Sequence, residues 1–99
     1  MAQIESQAKS QTRISYPSMY SIVAYNDDVT PMDFVIDLLV DVFDKNLEEA
    51  LALTLEIHKS EKRVVNTYTK ELAEQKLFEA NQYCRMNDKK LKIAMEKLS

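Results

Sequence analysis

The stretch Asn26-Asp27-Asp28-Val29-Thr30-Pro31-Met32 stands where an alternating apolar run ends and a helical pattern begins. Before it, Tyr20-Ser21-Ile22-Val23-Ala24-Tyr25 is rich in β-formers, and a period of two puts Tyr20, Ile22, Ala24 and Asn26 on one face. After it, Thr30 suits an N-cap and Pro31 the first helical position. Asp33 then lies in the first turn, where the helix dipole favours an anion. Phe34, Val35, Leu38, Leu39 and Val42 follow at helical spacing. The junction thus gathers two carboxylates and an amide beside apolar side chains. Oxygen acceptors at the mouth of a hydrophobic hollow suit a ligand with one cationic and one apolar end. A free amino terminus bearing a large apolar side chain is such a ligand.

Downstream, Asn46-Leu47-Glu48-Glu49 reads as a capping box. The helix it opens carries Leu47, Ala50, Leu51, Thr54, Leu55 and His58, and three-and-four spacing aligns Leu47, Leu51, Thr54 and His58. Ser60-Glu61-Lys62-Arg63 interrupts the pattern, and Val64–Tyr68 reads as a strand with a turn at Asn66. Asn66 tolerates a left-handed conformation better than most residues. Thr69 caps a third helix with Glu71 in its first turn and an apolar stripe of Leu72, Ala73, Leu77, Ala80 and Cys84. Asn87-Asp88 is a turn, and Leu91–Met95 can close as a last strand. The order βααβαβ predicts a small two-layer α+β sandwich, three helices covering one face of a three-stranded antiparallel sheet. Residues 1–15, rich in Gln and Ser, are expected to be a disordered N-terminal tail before a domain at 16–99.

Composition narrows the function classes. A chain of 99 residues is one domain with one modest core. Net charge is -3, whereas nucleic-acid binding wants a basic surface. No apolar run approaches the roughly 18 residues of a membrane span. The N-terminus lacks an apolar stretch, so no signal peptide is expected. The single Cys84 has no internal disulfide partner, which fits a reducing compartment. The chain has no Gly, and so no phosphate-cradling loop of the usual Gly-rich kind.

The pattern Asn26-Asp27-Asp28-x-Thr30-Pro31-Met32-x-Phe34-Val35, then His58, then Glu71-x-Ala73-Glu74-x-Lys76, resembles the bacterial ClpS adaptor family over roughly residues 19–96. The resemblance implies a cytoplasmic adaptor of the ClpAP protease that is not itself a catalyst and needs no cofactor or metal. Such adaptors bind proteins whose first residue is Leu, Phe, Tyr or Trp, and hand them to the AAA+ unfoldase ClpA. It further implies that Asn26, Asp27 and His58 surround the substrate's α-ammonium, whose three donors call for acceptors from three directions. The apolar wall would come from Ile22, Ala24, Thr30, Met32, Val35, Thr54, Ile57 and Leu91. Glu71 and Lys76 would dock the N-domain of the unfoldase.

Each residue alone has an ordinary explanation. Asn26-Asp27-Asp28 can be a polar turn, His58 a hydrogen-bonded structural residue, and Glu71 with Lys76 a solvated helix face. The whole set in order is explained together by one site. A small hydrolase using Asp27 or Asp28 with His58 lacks an obvious nucleophile and oxyanion loop. Two Asp and one His are also thin for a metal site. A docking module of the ribosomal-stalk C-terminal type has a similar fold but needs no hydrophobic pocket. The chain departs from the family where a Met usually stands at Thr54 and a larger aliphatic residue at Ala24. Both losses of volume are expected to relax the steric filter near the ligand Cβ, so that N-terminal Ile or Val is tolerated better than in a typical family member and Trp fits easily.

Overall fold

The computed structural model describes residues 17–98. The expected tail at 1–15 lies outside them. The elements run β1 (Met19–Tyr25), α1 (Met32–Asp41), α2 (Leu47–His58), β2 (Lys62–Thr69), α3 (Lys70–Met86) and β3 (Ile93–Lys97). The expected α+β order is present. β1 is central in the order β2-β1-β3, antiparallel to both neighbours, so Ser21, Ile22, Val23 and Ala24 are all buried. Ile22 and Ala24 join Val65 and Ile93 under the helices, in one cluster with Phe34, Val35, Leu38, Leu39, Ala50, Ile57, Ala73, Ala80 and Cys84. Leu38 is 1% exposed, so Leu38→Ala would cost about 2–5 kcal/mol. Among the described residues no helix is long and apolar enough to cross a membrane.

Local chemistry explains most boundaries. The capping box at α2 forms as read: the Asn46 carboxamide oxygen accepts from the Glu49 N–H at 2.8 Å, and the Glu49 carboxylate accepts from the Asn46 N–H at 3.2 Å. The cap of α1 differs from expectation. Pro31 is the N-cap and Met32 opens the helix, because the Thr30 hydroxyl is engaged elsewhere, donating to Asp27 at 2.5 Å. Thr69 does occupy the N-cap of α3, though its side chain makes no capping bond.

With no Gly available, two aspartates take the left-handed conformation after helices, Asp44 at φ 58 and Asp88 at φ 57. Short polar side chains tolerate that region best. Around Asp88 the pattern is a Schellman close, with Lys89 N–H donating to the Cys84 carbonyl at 2.8 Å and Asp88 N–H to the Arg85 carbonyl at 3.1 Å. Asn66, expected at a turn, instead lies inside β2, where the pairing register with β1 shifts between Ile22 and Val23. A bulge there keeps the strand continuous from Lys62, earlier than the charged run suggested. β3 starts at Ile93, so Leu91 is coil, though buried.

α2 is rotated from the expected stripe. Its buried residues are Ala50, Thr54 and Ile57, whereas Leu47 is 67% exposed and Leu51 and Leu55 also face outward. The small Ala50 lets α2 sit close against its neighbours, and that face wins over the larger leucines.

Candidate functional site

The junction that decides the fold also builds the site. β1 ends at Tyr25, and the Asn26 N–H donates to the Glu61 carbonyl at 3.0 Å, tying the loop to the entrance of β2. Asp27 then organises the turn with its whole carboxylate. Oδ1 accepts from the Val29 N–H at 3.3 Å, and Oδ2 accepts from the Thr30 hydroxyl at 2.5 Å. The Asp27 main-chain carbonyl accepts from the Thr30 N–H at 3.2 Å. A carboxylate has about four lone-pair sites, so this one is oriented yet keeps acceptor capacity. Across the loop, α2 ends at His58, which stands exposed on the opposite lip.

These residues meet at one hollow. Its lining is Asn26, Asp27 and His58 at the polar side, and Thr30, Met32, Val35, Thr54, Ile57 and Leu91 on the wall, with Tyr25 beside them. The hollow is open to solvent on one side, and the space within it is ≈ 20 Å³, about that of a single water. The three groups expected around an ammonium are therefore brought together, with six of the eight expected wall residues. Ile22 and Ala24 are not on the wall. They lie in the core under the helices, because β1 is central and only its end opens at the hollow.

Tyr25 escaped the sequence pattern, since alternation gives it the sheet face opposite Ala24. At the strand end it nonetheless borders the hollow. Its ring is held by Lys92 at 4.4 Å and Lys62 at 5.6 Å from the centroid, and its hydroxyl donates to Glu96 at 3.2 Å. Lys62 also pairs with Glu96 at 2.9 Å. The hydrogen bond and charge of Glu96 raise the Lys62 ammonium above its ordinary pKa, and Lys62 lowers that of Glu96. The signal for Tyr25 was present in the opposite charges of Lys62 and Glu96, but their pairing across β1 needs the sheet register.

A second concavity of ≈ 620 Å³ adjoins the hollow and shares Asp27 and Thr30 with it. It runs between Val29, Pro31 and the Asp88-Lys89-Lys90 turn. Among the described residues no group of three His, Cys, Asp or Glu is clustered as a metal site needs. Burial pushes the Cys84 thiol above its usual pKa, as expected of an inert core cysteine.

The two helix α3 residues expected to dock a partner are placed differently. Glu71 is exposed in the first turn. The Lys76 side chain is only 17% exposed and turns inward to the end of α1. Its ammonium donates to the Val42 carbonyl at 2.8 Å and lies 3.5 Å from Asp44 and 3.6 Å from Glu79. Lys76 thus finishes helix α1 from outside, neutralising the carbonyl end of its dipole.

Comparison with known proteins agrees with this geometry. The sequence model of the family described as ATP-dependent Clp protease adaptor protein ClpS matches residues 15–94. The ATP-dependent Clp protease adapter protein ClpS of Vibrio atlanticus is 38% identical over 90 residues, covering 91% of this chain and 85% of that protein. Its counterpart in Desulforapulum autotrophicum is 41% identical over 90 residues, covering 91% and 86%. Among solved structures, Agrobacterium tumefaciens ClpS2 bound to L-phenylalaninamide superposes with a TM-score of 0.79 at 26% identity, covering 84% of this chain and all of that one. The chain belongs to the ClpS family of ATP-dependent Clp protease adaptors.

Proposed function

We propose that this chain is a cytoplasmic, non-catalytic adaptor that binds proteins through a bulky hydrophobic N-terminal residue and delivers them to a ClpA-type AAA+ unfoldase. The observation that carries it is the meeting of Asn26, Asp27 and His58 at the mouth of one apolar-walled hollow. The related ClpS2 was solved with L-phenylalaninamide, a free amine carrying an aromatic side chain. In this chain the Asn26 carboxamide oxygen, the Asp27 carboxylate and neutral His58 would accept from the three N–H donors of an α-ammonium. A hydrogen bond to a charged group is worth about 1.5–3 kcal/mol. Because the hollow of the free chain holds about one water, Met32, Val35, Ile57 and Leu91 would part to admit the side chain and then cover it, and burying a Leu or Phe adds about 1.5–3 kcal/mol less the cost of that opening. The rest of the bound polypeptide would leave along the neighbouring concavity past Val29 and Lys89. We assign contact with the unfoldase N-domain to the exposed surface of α3 around Glu71, and a delivery role to residues 1–15.

The test compares labelled peptides that begin with Leu and differ only in N-acetylation. The free peptide binds and the acetylated one does not, and Asn26→Ala and His58→Ala each weaken binding roughly ten- to a hundredfold while melting like the wild type. Equal affinity for free and acetylated peptides refutes the assignment and favours a docking module that ignores peptide N-termini.

A further inference from the structure

Thr54 is the residue among those described whose buried side-chain oxygen has no hydrogen-bond partner. The residue is 2% exposed, in the third turn of α2. A helical threonine there usually donates to the carbonyl four residues earlier, and this one does not. A buried hydroxyl without a partner carries an uncompensated desolvation cost, and such groups are rare in native folds. The same residue lines the hollow at whose mouth Asn26, Asp27 and His58 meet. The wall beside it is supplied mainly by Val35, Ile57 and Leu91, whose side chains offer a hydroxyl nothing to bond, and by Met32, whose thioether is only a weak acceptor.

We propose that the Thr54 hydroxyl is a specificity-determining group that hydrogen-bonds the phenol of a bound N-terminal tyrosine, so that the site prefers Tyr to Phe. The inference rests on the adaptor function proposed above. Position supports it. His58 and Thr54 are four residues apart on one helix, hence roughly 6 Å along its axis and on the same face. A ligand whose ammonium is held beside His58 lays its side chain along α2 toward Thr54. Tyrosine is the large N-terminal residue that carries its one polar atom at the far tip of a rigid ring. Leu and Phe carry none, and the indole N–H of Trp lies on the flank of its ring. Threonine and phenol hydroxyls each donate and accept, so the pair bonds in either sense.

Water does not remove the preference. The Thr54 oxygen is closed to solvent in the free protein, so a water in the hollow does not partner it. A side chain that parts the wall brings its tip to that oxygen. A phenol then supplies the bond the hydroxyl lacks, whereas a phenyl ring leaves it unpartnered. The discrimination therefore comes from a bond gained with Tyr, with no water bond to replace.

The experiment titrates the full chain with three labelled peptides identical except for a first residue of Tyr, Phe or Leu, each also in acetylated form. Wild type is compared with Thr54→Val, which keeps the shape and drops the hydroxyl, and with Thr54→Ser, which keeps the hydroxyl. Wild type binds the Tyr peptide more tightly than the Phe peptide. Thr54→Val lowers the Tyr-to-Phe affinity ratio about three- to tenfold, through weaker Tyr binding with Phe binding little changed, and Thr54→Ser preserves it. A Tyr-to-Phe ratio at or below one in wild type, or the same ratio in wild type and Thr54→Val, overturns the inference while leaving the adaptor function standing. Failure of all three free peptides to bind, or equal binding of the acetylated forms, overturns the function itself. The wild-type Tyr and Phe comparison needs no variant, so a poorly folding Thr54→Val does not rescue the idea.

Discussion

Replacing Lys76 by Met should destabilise the domain while leaving its N-terminal pocket chemically intact. The substitution keeps the length of an apolar stem and removes the ammonium. Three contacts go with it: the 2.8 Å bond to the Val42 carbonyl and the approaches to Asp44 and Glu79. The first dominates. A hydrogen bond from a charged donor contributes about 1.5–3 kcal/mol. The ion pairs add at most a few tenths of a kcal/mol each, because the Asp44 side chain is 82% and the Glu79 side chain 40% exposed. The total is about 2 kcal/mol, which for a domain of this size lowers Tm by on the order of 10 °C. Glu71→Lys is the control. Glu71 is exposed, and its interaction with the helix N-terminus is worth about 0.3–1 kcal/mol. Circular-dichroism melts of both variants, with peptide titration well below the melting range, separate the two roles. A Lys76→Met protein that melts within about 2 °C of wild type would refute the capping role and return Lys76 to the set of free docking charges. If the destabilisation is found, loss of delivery in a Lys76 variant says little about the unfoldase, and Glu71 becomes the residue to reverse.

Two further outcomes are expected. Thr54→Met, which adds volume to a hollow of ≈ 20 Å³, should weaken Ile- and Val-starting peptides more than Leu-starting ones, by no more than about 1–3 kcal/mol; an unchanged Leu-to-Ile ratio shows that Thr54 sets no steric filter. The Tyr83 phenol donates to Asp41 at 2.6 Å, and that bond, with burial and the Asp41 charge, pushes its pKa up to about 12. Its folded value lies above its unfolded one, so the stability it contributes is complete below about pH 10 and fades as pH rises through about 12. Denaturation of wild type and Tyr83→Phe should show a gap that closes across that window, and a gap independent of pH removes the Tyr83–Asp41 bond as its cause.

The fold was legible wherever its determinants are local. Asn46 and Glu49 satisfy each other within four residues, and the apolar spacing of Phe34, Val35, Leu38 and Leu39 needs no partner to be recognised. Errors arose where a second group, near or distant in the chain, competes for a side chain. Thr30 looks like a cap until Asp27 takes its hydroxyl. Lys76 looks solvated until the end of α1, far back in the chain, presents a carbonyl to it. Period two correctly put Ile22 and Ala24 on one face of β1. It could not tell that the helices cover that face and leave only the strand end open, where Tyr25 borders the hollow. Asn26 and Asp27 stood out because a cluster of acceptors next to an apolar run is itself a local signal, whereas His58, on a separate helix, was drawn in by the family resemblance.

The same distinction bears on what the small residues of this chain do. A family position usually held by Met is Thr54 here, and loss of volume suggests a roomier site. Yet the hollow admits one water. Ala50 and Thr54 share the buried face of α2, and small side chains there let packed helices approach more closely. Met32 and Leu91 line the same hollow, and close packing of interiors disfavours an unfilled void beside Thr54. Ala24 adds no space either, since it lies inside the core. A smaller residue on a packed surface therefore does not by itself enlarge a pocket. What survives the repacking is chemistry: the hydroxyl that Thr54 brings cannot be filled in by a neighbouring methyl group. Among the described residues it is the buried side-chain oxygen still without a partner, so selectivity at this wall should follow the polarity of the bound side chain before it follows size.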